Sequence, residues 1–145
     1  MSTSAMSKEE LDKLIKKKYG EIAFDGSYIK EHKKTLIPTT PSLDLGLSGG
    51  LQEGSWTLIT GQKKTGKTTL ALQIAANAQK LGRHVYYFNV EHRFGEKNLS
   101  TVRHLKTDKD NFTLYQSAEG NILSAQKHLN IAVDVMSNHK KCVVI

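Results

Sequence analysis

The segment Gly61–Thr68, with the sequence GQKKTGKT, constrains this chain more than any other feature. It matches the pattern G-x-x-x-x-G-K-[ST], in which glycines let the backbone wrap closely around phosphate groups. An apolar run, Trp56–Thr60, precedes it, and an amphipathic pattern, Lys67–Leu81, follows it. A strand, a loop and a helix in this order point backbone N–H groups and a helix N-terminus at an anion. A lysine-rich surface loop would explain neither the glycines nor the flanks, so the segment predicts a nucleoside triphosphate site.

Two side chains of this loop have distinct predicted roles. Lys67 is expected to reach the β- and γ-phosphates as a mobile positive charge, and Thr68 to place its hydroxyl on Mg²⁺. The residues predicted to bind the nucleotide are Gly61, Gln62, Lys63, Lys64, Thr65, Gly66, Lys67, Thr68 and Thr69.

From Lys34 onward, strand-like and helix-like patterns alternate. His84–Val90 is a nearly continuous apolar run, typical of a strand buried on both faces. The other predicted elements are strands at Phe112–Tyr115 and from Cys142, and helices at Asn98–Leu105 and Asn121–Ser137. The last helix is predicted to face the core with Ile122, Ala125, Leu129, Ala132, Val133 and Met136. The alternation predicts a mostly parallel α/β sheet with right-handed crossovers.

The first 33 residues differ in pattern. Ser7 and Glu10 form a capping box for a helix predicted over Lys8–Tyr19, and Gly20 can end it. The apolar face of this helix consists of Leu11, Leu14 and Ile15. Ile22–Phe24 is a possible short strand. Because the apolar stripe is narrow, the helix must dock on its own domain or on a neighbouring subunit. The chain therefore divides into an arm, 1–33, and a core, 34–145.

Composition excludes several classes of protein. With 38% hydrophobic and 24% charged residues, the chain fits a globular domain, and no apolar run approaches the length of a membrane span. The N-terminus lacks the layout of a signal peptide, and a single cysteine, Cys142, cannot form an internal disulfide, so we expect a cytoplasmic protein. The net charge of +7 suits a nucleic-acid partner, although a solvated basic surface would give the same value.

Three segments resemble the RecA-type recombinases. They are Leu14–Gly26 (LIKKKYGEIAFDG), Thr39–Gly54 (TTPSLDLGLSGGLQEG) and Gly66–His92 (GKTTLALQIAANAQKLGRHVYYFNVEH). The resemblance implies a three-layer core with a parallel sheet, a DNA-dependent ATPase family, and ATP with Mg²⁺ as cofactors. It also implies single-stranded DNA as a partner, and self-association into a filament through the N-terminal arm. In viral members the compartment would be the host cytoplasm.

The resemblance also assigns residues after the second core strand. Glu91 matches the glutamate that activates the attacking water in this family, so Glu91 and Lys67 are the predicted catalytic residues. His92 matches too, but we expect local backbone contacts to satisfy it. Phe94 is the only aromatic residue nearby. It is not assigned to adenine, whose recognition is implied by the family alone.

In this family the strand that begins at Cys142 ends in the Walker B aspartate, which holds Mg²⁺ through water. The sequence stops at Ile145, before that aspartate, and the DNA-binding loops of the family follow later still. The family also places a later strand between two others, the strand before the loop Gly61–Thr68 (here called the phosphate loop) and the Walker B strand. We therefore expect a core that is truncated at the Walker B strand. By itself this core is expected to be unstable or prone to associate, and ATP hydrolysis by this chain alone is not assigned.

Two other functions remain open at this point. A hexameric replicative helicase or another RecA-fold motor would share the loop, but such proteins usually lack the SLDLGLSGG leader behind a short N-terminal helix. A nucleotide-binding regulator of assembly, which caps filaments through residues 8–25, would bind ATP without turnover.

Overall fold

The computed structural model describes residues 6–31, 34–92 and 94–145. It divides the chain into two compact units, Met1–Lys34 and Thr35–Ile145. The first unit contains helices α1 (Lys8–Tyr19) and α2 (Ser27–Glu31). The prediction for α1 is confirmed together with its capping box: the Glu10 N–H donates to Ser7 Oγ at 3.3 Å, and the Ser7 N–H donates to Glu10 Oε2 at 3.0 Å.

The strand predicted at Ile22–Phe24 is wrong, because these residues form no strand within the described part of the chain. A strand exists only through pairing, and the described part of the first unit contains helices and connecting segments alone. The Phe24 ring instead stacks on Tyr28 with centroids 4.2 Å apart.

The second unit contains a three-stranded parallel sheet in the order β4–β3–β5. These strands are β3 (His84–Phe88), β4 (Phe112–Tyr115) and β5 (Cys142–Val144). Val85 at its centre lies opposite Phe112 on one side and Val143 on the other. The predicted parallel α/β arrangement is thereby confirmed in its coarse form, a mixed α/β unit with a small parallel sheet.

Helices cover both faces of this sheet. Helix α4 (Lys67–Lys80) packs on one face, where Ala75, Val85 and Phe112 form a buried cluster. Helix α5 (Glu96–Ser100) lies on the same side and contacts α4. Helix α6 (Ala125–Asn138) covers the other face, where its His128 meets the ring of Phe88 edge-on.

The segment before the phosphate loop is held against α4. It contains an antiparallel pair, β1 (Leu36–Ile37) and β2 (Leu51–Gln52), and a short helix, α3 (Pro41–Gly46). The Asn77 side chain of α4 donates to the carbonyls of Pro38 and Thr39 at 2.9 and 3.0 Å. Gly50 is required in this layer, because a Cβ atom there would lie 2.4 Å from the Ile37 carbonyl oxygen.

The strand predicted at Trp56–Thr60 is also wrong. The segment is not paired with any strand in the described part of the chain, and Trp56 and Leu58 are 88% and 87% exposed. Only Ile59 reaches the core, where it packs with Val143 of β5 against Ile74 and Ala78 of α4. The segment has the apolar composition of a strand, but a β-strand also needs a neighbouring backbone, and β5 does not pair with it.

Two predicted helices have different bounds. Helix α5 begins earlier than predicted because the Asn98 side chain accepts from the Gly95 N–H at 3.1 Å. It ends at Ser100, where the hydroxyls of Ser100 and Thr101 bond to carbonyls three residues back. Helix α6 begins at Ala125 rather than Asn121, because Ser124 caps it and Asn121 closes a turn onto Ala118.

The predicted inner face of α6 is partly wrong. Its most buried residue is His128, and Ile131, Ala132 and Val135 are half-buried on the same side. Leu129 and Val133 are instead 60% and 56% exposed. The helix therefore has two apolar stripes. The pattern predicted that the stripe with Leu129 and Val133 is buried, but the stripe on the side of His128 is the buried one. In the part of the chain that the structure describes, no helix is long and apolar enough to cross a membrane.

Candidate nucleotide site

The loop Gly61–Thr68 contains two residues with left-handed backbone conformations. Gly66 is left-handed at φ 87° and caps α4, and its carbonyl accepts the first helical bond from Leu70 at 2.9 Å. Lys64 is also left-handed, at φ 64°. Backbone turns of this kind direct successive N–H groups into one concavity, which is a common anion-binding geometry. A Cβ atom at Gly61 would lie 3.0 Å from Thr65 Oγ1, so the loop closes tightly over this glycine.

The Lys67 ammonium is folded into this loop. Its Nζ donates to the carbonyl oxygens of Gly61 at 2.9 Å and Gln62 at 2.6 Å. The Thr65 hydroxyl donates to the same Gln62 carbonyl at 2.8 Å. The positive charge of Lys67 is therefore held within the loop by two backbone carbonyl oxygens.

The first turn of α4 faces outward beside this charge. Thr68 and Thr69 are exposed, and the first N–H groups of a helix have no partner within it. The fourteen residues of α4 give this end the partial positive charge of a helix N-terminus. Lys63 and Lys64 are exposed in the loop and add further positive charge. The turn thus offers donors and positive potential to an anion.

Glu91 lies just beyond the end of β3 and is exposed. A tight turn places it there: the Val90 N–H donates to the Phe88 carbonyl at 3.0 Å, and His92 is left-handed at φ 53°. Burial and, second, the negative charge of Glu91 raise the pKa of the Tyr87 hydroxyl. The charge of Glu91 is therefore part of the electrostatic environment of the Tyr87 hydroxyl.

Glu91 and the phosphate loop lie at the same edge of the sheet. Helix α4 joins β3 through a short turn after Lys80 and packs along it, so the two elements run in opposite directions. The amino end of α4, which carries Lys67 and Thr68, therefore lies beside the carboxyl end of β3. The predicted catalytic and nucleotide-binding residues are thus brought to one edge by the topology.

The available metal ligands fit an ion that arrives with a nucleotide. Among the described residues, no group of three or more His, Cys, Asp and Glu side chains could hold a metal ion. The exposed hydroxyl of Thr68 is one hard oxygen donor in the first turn of α4. Because Mg²⁺ prefers six oxygen ligands and retains several waters, phosphate oxygens and water would have to supply the others.

Sequence reasoning missed a pair of polar side chains, Asn89 and Gln116, which follow the adjacent strands β3 and β4. Asn89 is 5% exposed, and its Nδ2 donates to Gln116 Oε1 at 2.9 Å. A polar residue inside the apolar run HVYYFNV was the available signal, because a buried amide needs hydrogen-bond partners. Phe94 stacks on Tyr87 with centroids 4.3 Å apart and belongs to the core, which agrees with leaving it unassigned to adenine.

A separate open cleft of about 220 Å³ lies at the opposite edge of the sheet, lined by Gly82, Arg83, His84, Asp110, Asn111, His139 and Lys141. Helices α4 and α6 end at this edge, and their C-termini favour cations rather than anions. The basic residue Arg83 is paired with Glu53. The cleft is therefore a weaker candidate for an anion site than the first turn of α4.

Comparison with known proteins gives the family. The family model described as the RecA N-terminal domain matches residues 7–144. Protein RecA of Nautilia profundicola is 36% identical over 115 residues, which cover 74% of this chain and 31% of that protein. Protein RecA of Chlamydia abortus is 42% identical over 85 residues, 57% of this chain and 24% of that protein. A mitochondrial DNA repair protein recA homolog of Dictyostelium discoideum is 40% identical over 86 residues, 58% of this chain and 19% of that protein.

The chain belongs to the RecA family and corresponds to its N-terminal region. It spans about a third or less of the length of these curated relatives. The resemblance read from the sequence is thereby confirmed.

Proposed function

We propose that this chain is the ATP-binding part of a DNA recombinase that acts in homologous recombination and repair, by ATP-dependent filament formation on single-stranded DNA. The observation that carries the proposal is the closure of the loop Gly61–Thr68 around the Lys67 ammonium at the N-terminus of α4. Membership in the RecA family supports the recombinase assignment.

In the proposed binding step, the triphosphate enters the concavity of the loop. Its oxygens replace the carbonyls of Gly61 and Gln62 as partners of Lys67, because an anion satisfies the ammonium better than neutral carbonyls do. The N–H groups of the first turn of α4 bond to the same phosphates. The Thr68 hydroxyl would be the residue of this chain that holds Mg²⁺, which would supply positive charge to the phosphates.

In the proposed hydrolysis step, Glu91 positions a water molecule in line with the γ-phosphate. The water oxygen bonds to phosphorus, its proton passes to the carboxylate, and the bond from the γ-phosphorus to the bridging oxygen breaks to release ADP and phosphate. Lys67 balances the charge that develops on the phosphate oxygens.

The N-terminal arm supplies the proposed contact with a second copy. Within the first unit, Leu11, Leu14, Tyr19, Ile22 and Phe24 are between 46% and 59% exposed. An amphipathic helix with an uncovered apolar stripe gains stability by docking on another surface. We expect Leu14→Asp to reduce self-association in sedimentation velocity, while Lys13→Asp, on the neighbouring polar position, leaves it largely intact.

The test of this function supplies the remainder of the core. The chain is mixed with a polypeptide carrying the rest of a RecA core, and ATP hydrolysis is measured with and without single-stranded DNA. Turnover that DNA stimulates, that Lys67→Ala abolishes and that Glu91→Gln strongly reduces would support the recombinase. Lys80→Ala, at the other end of α4, is the control for loss of one positive charge.

Other outcomes would favour the alternatives. ATP binding without turnover in the complemented mixture would favour the regulator of assembly. Rings rather than filaments in micrographs would favour a motor. Turnover unchanged by Glu91→Gln would refute the role given to that residue.

A further inference from the structure

Asn89 connects three parts of the edge that carries Glu91. Its Nδ2 donates to Gln116 Oε1 at 2.9 Å, and its Oδ1 accepts from the Phe94 N–H at 3.2 Å. Its own N–H donates to the Tyr115 carbonyl at 2.9 Å. Asn89 follows β3 and Gln116 follows β4, so the side-chain pair joins the carboxyl ends of two adjacent strands.

Asn89 holds the chain that follows Glu91 through two bonds. Its backbone carbonyl accepts from the His92 N–H at 3.4 Å. Its side-chain Oδ1 accepts from the Phe94 N–H, and the Phe94 ring stacks on Tyr87. Glu91, which is exposed, therefore lies between Asn89 and Phe94, a residue to which the Asn89 side chain is bonded.

The orientation of this amide is fixed by its partners. Because a backbone N–H can only donate, Asn89 Oδ1 must face Phe94, so Nδ2 must face Gln116. Gln116 then presents its oxygen, and each group meets a complementary one.

We propose that Asn89 is the positioning residue for Glu91, and that its bridge to Gln116 fixes the direction in which the Glu91 carboxylate points toward the attacking water. The inference rests on the proposed function, in which Glu91 activates that water. Asn89 makes no described contact with the phosphate loop, so its loss should lower kcat for ATP while leaving KM and nucleotide affinity nearly unchanged.

Conservative variants separate this role from stability alone. In Asn89→Asp, one carboxylate oxygen still accepts from Phe94 and the other accepts from a flipped Gln116 amide. In Gln116→Glu, the carboxylate accepts from Asn89 Nδ2. In the double variant N89D/Q116E neither side chain carries an N–H donor, so the bridge is lost while both carboxylates are ionised and repel each other. Each single variant should therefore retain turnover, and the double variant should lose it.

Gln79→Leu is the matched control. Gln79 is likewise 5% exposed, and its amide bonds to the backbone of Lys106 and Asn111 at the opposite edge of the sheet. Its loss should lower thermal stability without a specific effect on kcat. Asn89→Leu should lower kcat by about tenfold or more, as expected when a reacting group is misplaced by about 1 Å.

The experiment measures kcat, KM and ATP affinity for these variants in the complemented mixture. It also measures the Tyr87 titration by NMR in the chain alone, because the Glu91 charge contributes to the raised pKa of Tyr87. Glu91→Gln should lower the Tyr87 pKa in the parent and in N89D, but have a smaller effect in N89D/Q116E. A double variant with parental kcat, or an equal Glu91→Gln effect on Tyr87 in both backgrounds, would overturn the inference. Absence of Lys67-dependent ATP binding would instead overturn the proposed function.

Discussion

Replacing the exposed apolar residues before the phosphate loop should leave the folded chain almost as stable as before. Trp56 and Leu58 are 88% and 87% exposed, whereas Leu72 of α4 is completely buried. Substitutions of exposed residues usually change the free energy of unfolding by about 0.5 kcal/mol or less. Leu→Ala in a packed core costs about 3 kcal/mol. Leu58→Ala and Leu72→Ala are therefore the same substitution, but only Leu72→Ala is expected to lower the free energy of unfolding substantially.

The difference is large enough for a urea titration. With a slope of about 2 kcal/mol per molar urea, a loss of 3 kcal/mol moves the midpoint by about 1.5 M. Leu58→Ala should move it by about 0.25 M or less, and Trp56→Ser should behave like Leu58→Ala. Circular dichroism is the suitable probe, because Trp56 is the single tryptophan and fluorescence would be lost with it.

Leu58→Ala and Trp56→Ser should also be more soluble than the parent chain, since both remove exposed apolar surface. Midpoints for Leu58→Ala and Leu72→Ala that fall equally would refute the reasoning. They would show that Trp56–Thr60 is paired and buried, as the sequence pattern predicted.

Three further predictions concern the second unit. The Arg83 guanidinium lowers the pKa of Glu53 below its ordinary 4.5. The pair therefore stabilises the fold above that pH, and this contribution is lost as the pH falls through the lowered pKa. Glu53→Gln should remove about 1 kcal/mol of unfolding free energy at pH 7 and flatten the acid side of a plot of stability against pH. Gly50→Ala should cost about 2 kcal/mol or more in urea unfolding, because its φ is 138° and the new Cβ would collide with the Ile37 carbonyl. Burial raises the pKa of the Cys142 thiol, so a disulfide reagent at pH 8 should modify it more slowly in the folded chain than after unfolding, and equal rates would contradict its half-buried position.

Features governed by local interactions were predictable from the sequence. Helix α1 follows from the Ser7–Glu10 capping box. The observed β3 and α4 follow from an apolar run and from a glycine-bounded amphipathic pattern. The left-handed Gly66 and the position of Lys67 at the helix N-terminus follow from the loop motif itself. These features depend on neighbours close in sequence, so the pattern contained the information.

Features that depend on a distant partner were not predictable in the same way. Trp56–Thr60 has strand composition, but the partner strand that would pair with it is not among its neighbours in the described part of the chain. Helix α6 has two apolar stripes, and the packing of His128 against Phe88 decides which one is covered. The Asn89–Gln116 bridge joins residues 27 positions apart, so only the folded sheet brings them together.

Equilibrium binding of ATP with Mg²⁺ to this chain, followed by calorimetry, tests the central claim most directly. A charge-assisted hydrogen bond is worth about 1.5–3 kcal/mol, so Lys67→Ala should weaken binding by about tenfold to a hundredfold. Lys80→Ala, which removes the same charge from the far end of α4, should leave the affinity within about twofold of the parent. Equal weakening by both variants, or binding that Lys67→Ala does not alter, would contradict a nucleotide site in Gly61–Thr68.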